Sequence, residues 1–194
     1  KWAVEFLGVF ECELYFYIVA GLAEGQPVED FYLSDDLTDE LLSDIYDGVR
    51  GALKTIHGKG VVHRDITASN VMFDVKTGKL TVIDFGESAA IGDPFDRSER
   101  TSYFLSPSAL RGVYNEAGDF WSLGCMIYRL LNYEVPFTME NIIMGIDEDV
   151  IAEVIRTVDS VKWQQVLFDC WVTEQKKHHG ESTRDTEEEM QHVQ

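Results

Sequence analysis

Val61-Val62-His63-Arg64-Asp65-Ile66-Thr67-Ala68-Ser69-Asn70-Val71-Met72-Phe73, then Leu80-Thr81-Val82-Ile83-Asp84-Phe85-Gly86, is the stretch whose reading decides the fold. Val61-Val62, Val71 to Phe73 and Leu80 to Ile83 are short apolar runs rich in β-branched residues, and Lys76-Thr77-Gly78-Lys79 between the last two reads as a turn. The spacing predicts a hairpin that sets Asn70 and Asp84 at neighbouring strand ends. Two carboxylates and an amide gathered in this way suit phosphoryl transfer, in which a protein works by positioning, metal binding and charge neutralisation. One carboxylate would orient an attacking hydroxyl. A second carboxylate and an amide oxygen would hold magnesium, which takes hard oxygen ligands. Asp65 fits the first role, and Asn70 and Asp84 fit the second.

Working outward, Phe6 to Phe10 and Leu14 to Val19 are apolar runs separated by Glu11-Cys12-Glu13, which predicts an antiparallel strand pair. Gly25-Gln26-Pro27 breaks that pattern and leads into an acidic linker. Thr38, followed by Asp39 and Glu40, is a helix cap. Leu41, Leu42, Ile45, Val49, Ala52, Leu53 and Ile56 then recur at helical spacing, so an amphipathic helix should run to His57-Gly58. His57 reads as a helix-end residue without a catalytic role. A second helix, from about Asp119 to Leu131, is apolar nearly all round and must be buried. Asp119 is costly there unless hydrogen-bonded, which makes it structural rather than chemical. Val150 to Val158 and Val161 to Val172 read as two more helices, and the polar composition from Thr173 onward reads as a frayed or disordered tail.

His63-Arg64-Asp65 with Asn70, and Asp84-Phe85-Gly86, resemble the catalytic loop and magnesium-binding triplet of the eukaryotic-type protein kinase family. Thr101 to Ser108 looks like the end of a kinase activation segment, with Ser106-Pro107-Ser108 in place of the family's Ala-Pro-Glu. Asp119-Phe120-Trp121-Ser122-Leu123-Gly124 is similar to the start of the central buried helix of the large lobe, and Leu130 to Phe137 to the loop that leaves it. The resemblance implies an α+β, protein-kinase-like fold, mainly the helical C-lobe plus two small-lobe strands and the hinge. Residues 1–22 would be those strands and the hinge, 23–172 the C-lobe, and 173–194 an acidic polar tail.

The same resemblance implies ATP and Mg2+ as cofactors and a protein substrate. Asp65 would orient a substrate Ser or Thr hydroxyl, while Asn70 and Asp84 held magnesium. Ile18 would stand at the back of the nucleotide pocket, Val19, Ala20 and Gly21 would form the hinge against the adenine, and Met72 would be a further nucleotide contact. His63, Phe85, Gly86 and Asp119 would be structural, with Asp119 tying its helix to the backbone of the catalytic loop. Arg64 would receive a phosphate placed on Ser98, Thr101 or Ser102, ordering the activation loop by charge-assisted bonds. An ordinary ion pair for Arg64 and an unmodified loop is the plainer alternative.

Several departures bear on activity. Thr67 occupies the catalytic-loop position where Ser/Thr-directed members of the family carry a lysine, and Ser69 the later position where tyrosine-directed members carry an arginine. Transition-state charge therefore loses a cation. Ser108 stands where the family has a glutamate paired to a late arginine, and no arginine is evident in the late segment, so the pair is absent as a unit. Glu87 sets a negative charge after Gly86. Residues 1 to 5 leave no room for the glycine-rich loop and ATP-anchoring lysine, so the chain is expected to be a partial catalytic domain. A pseudokinase or interaction scaffold is the alternative, favoured by Thr67. A small-molecule kinase is a third reading, against which Ser106-Pro107 and the Asp119 to Gly124 helix argue.

Composition bounds the partners. A length of 194 residues with 45% hydrophobic content suits one domain with a real core. The net charge of −19 argues against nucleic-acid or anionic-membrane partners. It would favour a basic protein substrate, although a solvated acidic surface explains it more simply. Cys12, Cys125 and Cys170 are odd in number and far apart, which indicates free thiols in a reducing, intracellular, cytoplasmic setting. Leu14 to Ala23 is too short to span a membrane, and no signal-peptide pattern opens the chain.

Overall fold

The computed structural model of the chain describes residues 2–32, 34, 37–96 and 103–179. Its first element is a hairpin of β1 (Phe6–Glu11) and β2 (Phe16–Ala20), antiparallel, with Val9 opposite Ile18 and an irregularity between Phe6 and Gly8. Every residue of β2 is exposed. Such a two-stranded ribbon is marginal by itself. It is anchored by the preceding segment, because Val82 N donates to Trp2 O at 2.8 Å and the Trp2 ring lies over Gly51. Among the described residues no helix is long and apolar enough to cross a membrane.

The Gly25-Gln26-Pro27 stretch, expected only to break the pattern, forms β3 (Gln26–Pro27), paired to Met72 and Phe73. Pro27 is tolerated because β3 is an edge strand. Gly25 adopts φ +90, and a Cβ there would collide with the Phe73 carbonyl. A 3-10 turn, Val28–Phe31, then leads toward α1 (Asp39–His57), which starts and stops where the sequence placed it. Thr38 Oγ1 caps it by accepting from Leu41 N at 3.2 Å. The buried positions Leu42, Ile45, Val49, Ala52, Leu53 and Ile56 lie on one stripe, as the spacing demanded. Asp39 is drawn across the lobe, accepting from Trp163 Nε1 at 2.5 Å and Lys162 Nζ at 2.8 Å.

β4 (Val61–Val62) pairs with β7 (Ala89–Ala90), a partner the sequence did not disclose. Between them lies the predicted hairpin of β5 (Val71–Asp74) and β6 (Lys79–Val82), with Val71 opposite Val82. Its turn is closed by Gly78 N donating to Asp74 O at 2.8 Å, with Gly78 at φ +66. After α2 (Pro107–Leu110), α3 (Glu116–Asn132) starts three residues earlier than expected and is buried along nearly its whole length.

α4 (Met139–Met144), which the sequence reading did not resolve, precedes α5 (Glu148–Arg156) and α6 (Val161–Phe168). α6 passes into a π-helical turn, Asp169–Thr173, and then α7 (Glu174–His179). The chain thus stays helical six residues beyond Thr173, the expected start of the tail. Gln175 Nε2 donates to Ala117 O at 2.8 Å, which ties this end to α3. The core centres on Trp121, stacked on Phe137 at 5.1 Å and beside Trp171 at 6.0 Å. Each large apolar side chain so buried contributes roughly 1.5–3 kcal/mol. Gly124 is needed at this point, since a Cβ there would run into Trp171 Nε1 and stand 2.9 Å from Cys170 Cβ.

Candidate active site

The site forms where β4 runs into the catalytic loop and the loop meets the start of α3. Asp119, fully buried, reaches back across this junction. Its Oδ2 accepts from His63 N and its Oδ1 from Arg64 N, both at 2.8 Å. Tyr114 OH donates to Oδ1 at 2.9 Å, and His57 Nε2 lies 2.8 Å from Oδ2. Four donors thus offset the burial of one carboxylate. They also hold Arg64 at φ 70, a left-handed conformation uncommon outside glycine. Asp119 does tie helix to loop backbone. His57 and Tyr114, to which the sequence reading gave no part, complete the knot. Only the tertiary fold brings His57, at the end of α1, against α3, where its ring also packs edge-on to Phe120 at 5.4 Å.

His63 is buried and fixed from both sides. Its Nε2 faces Ile83 O at 3.1 Å, and Asp65 N donates to its Nδ1 at 3.3 Å. Nδ1 acts as an acceptor, so the ring must be neutral with its proton on Nε2. Burial accordingly lowers its pKa from the ordinary 6.5, against the opposing pull of Asp119. The Phe85 ring packs edge-on to His63 at 4.8 Å. His63, Phe85 and Asp119 therefore make the frame on which the polar groups are mounted.

Asn70 closes the loop. Its Nδ2 donates to Asp65 O at 3.0 Å and to Asp65 Oδ2 at 2.7 Å. One oxygen of Asp65 is thus held, and the Asn70 amide oxygen is left over. Ile83 N donates to Asn70 O at 2.9 Å, which ties the loop to the end of β6 and brings the exposed Asp84 alongside. Asp84 sits at φ 59, and its Oδ1 accepts from Gly86 N at 3.1 Å, leaving the other oxygen outward. An amide oxygen and a carboxylate oxygen of this kind match a cation that binds one or two carboxylates and completes its shell with water and phosphate.

Thr67 Oγ1 is bonded to Ser69 Oγ at 2.9 Å, so no cation stands at that point of the loop. Among the described residues no carboxylate forms an ion pair with Arg64. Its guanidinium lies 5.4 Å from the Phe95 ring centre and 5.8 Å from that of Tyr114, and Nη2 donates to Asp93 O at 2.9 Å. Its buried Nε has no hydrogen-bond partner among the described residues. Ser98, Thr101 and Ser102 lie outside those residues. Ser108 is buried and satisfied by Ser106, with Oγ to Oγ at 3.0 Å. That bond accounts for how the position does without a charged pair.

A cavity of about 780 Å³ runs behind the site. Ile18 and Ala20, on one face of β2, line it together with Phe6, Asp84, Phe85 and Gly86. Val19, Gly21 and Met72 do not line it. Val19 falls on the other face by strand alternation, Gly21 follows the end of β2 with its N taken up by Glu5 O at 2.7 Å, and Met72 is half-buried in β5. The structure thus splits the five candidate nucleotide contacts, and two of them share a wall with Asp84.

Comparison with known proteins identifies the family and the fold. The protein kinase domain family matches residues 2–192. The chain is 34% identical over 125 residues to calcium-dependent protein kinase 25 of Arabidopsis thaliana, covering 61% of this chain and 23% of that protein. It is 31% identical over 118 residues to the serine/threonine-protein kinase nekl-2 of Caenorhabditis elegans, covering 59% and 33%. In fold it is similar to the kinase PK-1 of Cydia pomonella granulovirus, with a TM-score of 0.67 and 20% identity, over 87% of this chain and 67% of that one. The fold is therefore kinase-like, and the chain belongs to the protein kinase domain family. It spans about a third or less of the length of the curated relatives it matches.

Proposed function

We propose that this chain carries the catalytic residues of a Ser/Thr-directed protein kinase that moves the γ-phosphoryl group of Mg-ATP to a protein hydroxyl. The observation that carries the reading is the Asn70 clamp on Asp65, at 2.7 Å, with Asp84 brought beside it by the Ile83–Asn70 bond. In this reading Asp65 orients the substrate hydroxyl and accepts its proton as oxygen attacks the γ-phosphorus and the bond to the β-phosphate oxygen breaks. Asn70 Nδ2 keeps the Asp65 carboxylate aimed. The remaining oxygens of Asn70 and Asp84 would hold magnesium, which when bound neutralises charge on the phosphates. Among the described residues β2 pairs with β1 alone, so its outer edge offers backbone donors and acceptors to the adenine from Ile18 to Ala20, while Gly21, whose N–H is taken up by Glu5 O, would offer its carbonyl.

Three free cysteines and the use of ATP support an intracellular, cytoplasmic setting. The second reading is a pseudokinase scaffold, and Thr67 favours it, because a neutral hydroxyl paired with that of Ser69 supplies no charge. Phosphate transfer from Mg-ATP to a mixed Ser/Thr/Tyr peptide library separates the two, using the full natural chain with Asp65→Asn as control. Transfer lost in the control supports the kinase. A folded parent that moves no phosphate supports the scaffold.

A further inference from the structure

A second cavity, of about 160 Å³, opens beside the catalytic loop, with Thr67 and Ser69 on one wall and Arg129, Tyr32, Glu29 and Phe104 on the others. Arg129 lies in the last turn of α3 and is exposed. A cation there has a plain structural use, since it complements the negative end of the helix. Its guanidinium, however, is drawn over the Tyr32 ring at 5.3 Å, and that ring is fixed by Tyr32 OH donating to Tyr133 O. Among the described residues no carboxylate stands within ion-pair distance of Arg129. The Thr67 and Ser69 hydroxyls share one hydrogen bond. Two hydroxyls bring two protons, so one remains free to donate.

We infer that this cavity is a substrate subsite for an anionic side chain flanking the phosphoacceptor, an Asp, a Glu or a phosphorylated residue, held by Arg129 and the free Thr67/Ser69 hydroxyl proton. The inference rests on the kinase reading. It replaces the basic-substrate preference that net charge suggested. The overall charge acts at long range and is screened beyond about 8 Å in physiological salt, whereas contact in the cavity is decided by the groups lining it. Thr67 and Ser69 follow Asp65 by two and four residues. Both belong to the same short loop as Asp65, so the cavity takes side chains near the acceptor, and each position within about four residues of it is tested. Glu29, exposed on the same rim, opposes an anion and limits the preference.

The test measures binding and transfer separately on the full natural chain. Peptides with one Ser, differing only in Asp, phosphoserine or Arg at those flanking positions, are titrated by fluorescence anisotropy in 150 mM salt. Both anionic peptides should bind about tenfold tighter than the Arg peptide, as expected for a close charge pair. Arg129→Glu should abolish or invert that ratio, and Glu29→Gln should raise it. Thermal melting confirms that each variant is folded, and Arg129→Gln serves if Arg129→Glu is not. The Asp and phosphoserine arms show whether the natural anion is a carboxylate or a phosphate. Tighter binding of the Arg peptide, or an unchanged ratio in the folded Arg129 variants, overturns the inference. Transfer without the ratio would refute the subsite alone. The ratio without transfer would refute the kinase reading alone.

Discussion

Replacing Asp119 by Ala removes the acceptor of four hydrogen bonds at the junction of catalytic loop and α3. Two of the stranded donors are the backbone amides of His63 and Arg64, and a third is the buried Tyr114 hydroxyl. Each unsatisfied buried donor costs about 1–3 kcal/mol. Their sum exceeds what is measured when one partner leaves a buried network, for which about 3–5 kcal/mol is typical. That loss is a large share of a domain stability of about 5–15 kcal/mol. For a chain of this size it lowers Tm by about 6–20 °C, at roughly 2–4 °C per kcal/mol. Asp119→Asn keeps one acceptor oxygen and should fall about halfway between. Thermal unfolding followed by circular dichroism reads both variants, and guanidinium titration checks that m is unchanged. A Tm for Asp119→Ala within about 2 °C of the parent would refute the reasoning, because the loop would then hold its left-handed Arg64 without the carboxylate.

Asp65→Asn should lower phosphate transfer by about 10²–10⁴-fold while Tm stays with the parent, since it removes a group acting on the reacting hydroxyl rather than a packed one; steady-state transfer and a melt read this together. Gly124→Ala forces a methyl against Trp171 and Cys170, and should cost about 1–3 kcal/mol by guanidinium titration. His63 has a lowered folded-state pKa, so between that value and 6.5 the unfolded chain binds more protons. Stability is fully present above pH 6.5 and is lost as pH falls through this window. His63→Gln should flatten the Tm profile there, and an unchanged profile would remove His63 as the cause. Asp84→Asn, which tolerates φ 59, should keep Tm but remove the magnesium dependence of nucleotide binding, read by calorimetry with and without the metal.

Much of the frame was legible because local chemistry and tertiary demand agree there. The α1 limits follow from Thr38 as a cap and from one apolar stripe, and the β5–β6 pairing follows from two β-branched runs around a glycine turn. Asp119 was recognisable as a structural residue because a lone carboxylate in an apolar helix must find donors. The loop amides among those donors were implied by the resemblance, but the two side-chain partners were not legible. His57 and Tyr114 carry no distinctive local pattern, and β3 and β7 are two-residue strands too short to show periodicity, so the strand at Val61-Val62 was legible but its partner was not. Thr173 to His179 reads as polar tail by composition, yet helix contacts such as Gln175 on Ala117 override composition.

The amino-acid order by itself determined the chemistry of this protein: which carboxylates and which amide stand at fixed spacing, and which helices must be buried. Burial and hydrogen-bond satisfaction between distant segments decided the rest. Only the folded chain places His57 from α1, Tyr114 and the loop amides around one buried carboxylate, divides β2 so that Ile18 and Ala20 line a cavity with Asp84 while Val19 does not, and sets Arg129 on the wall of one cavity with Thr67 and Ser69. Spacing along a chain sets what a short segment can do. Contacts between segments far apart in sequence are set by the packing of the whole.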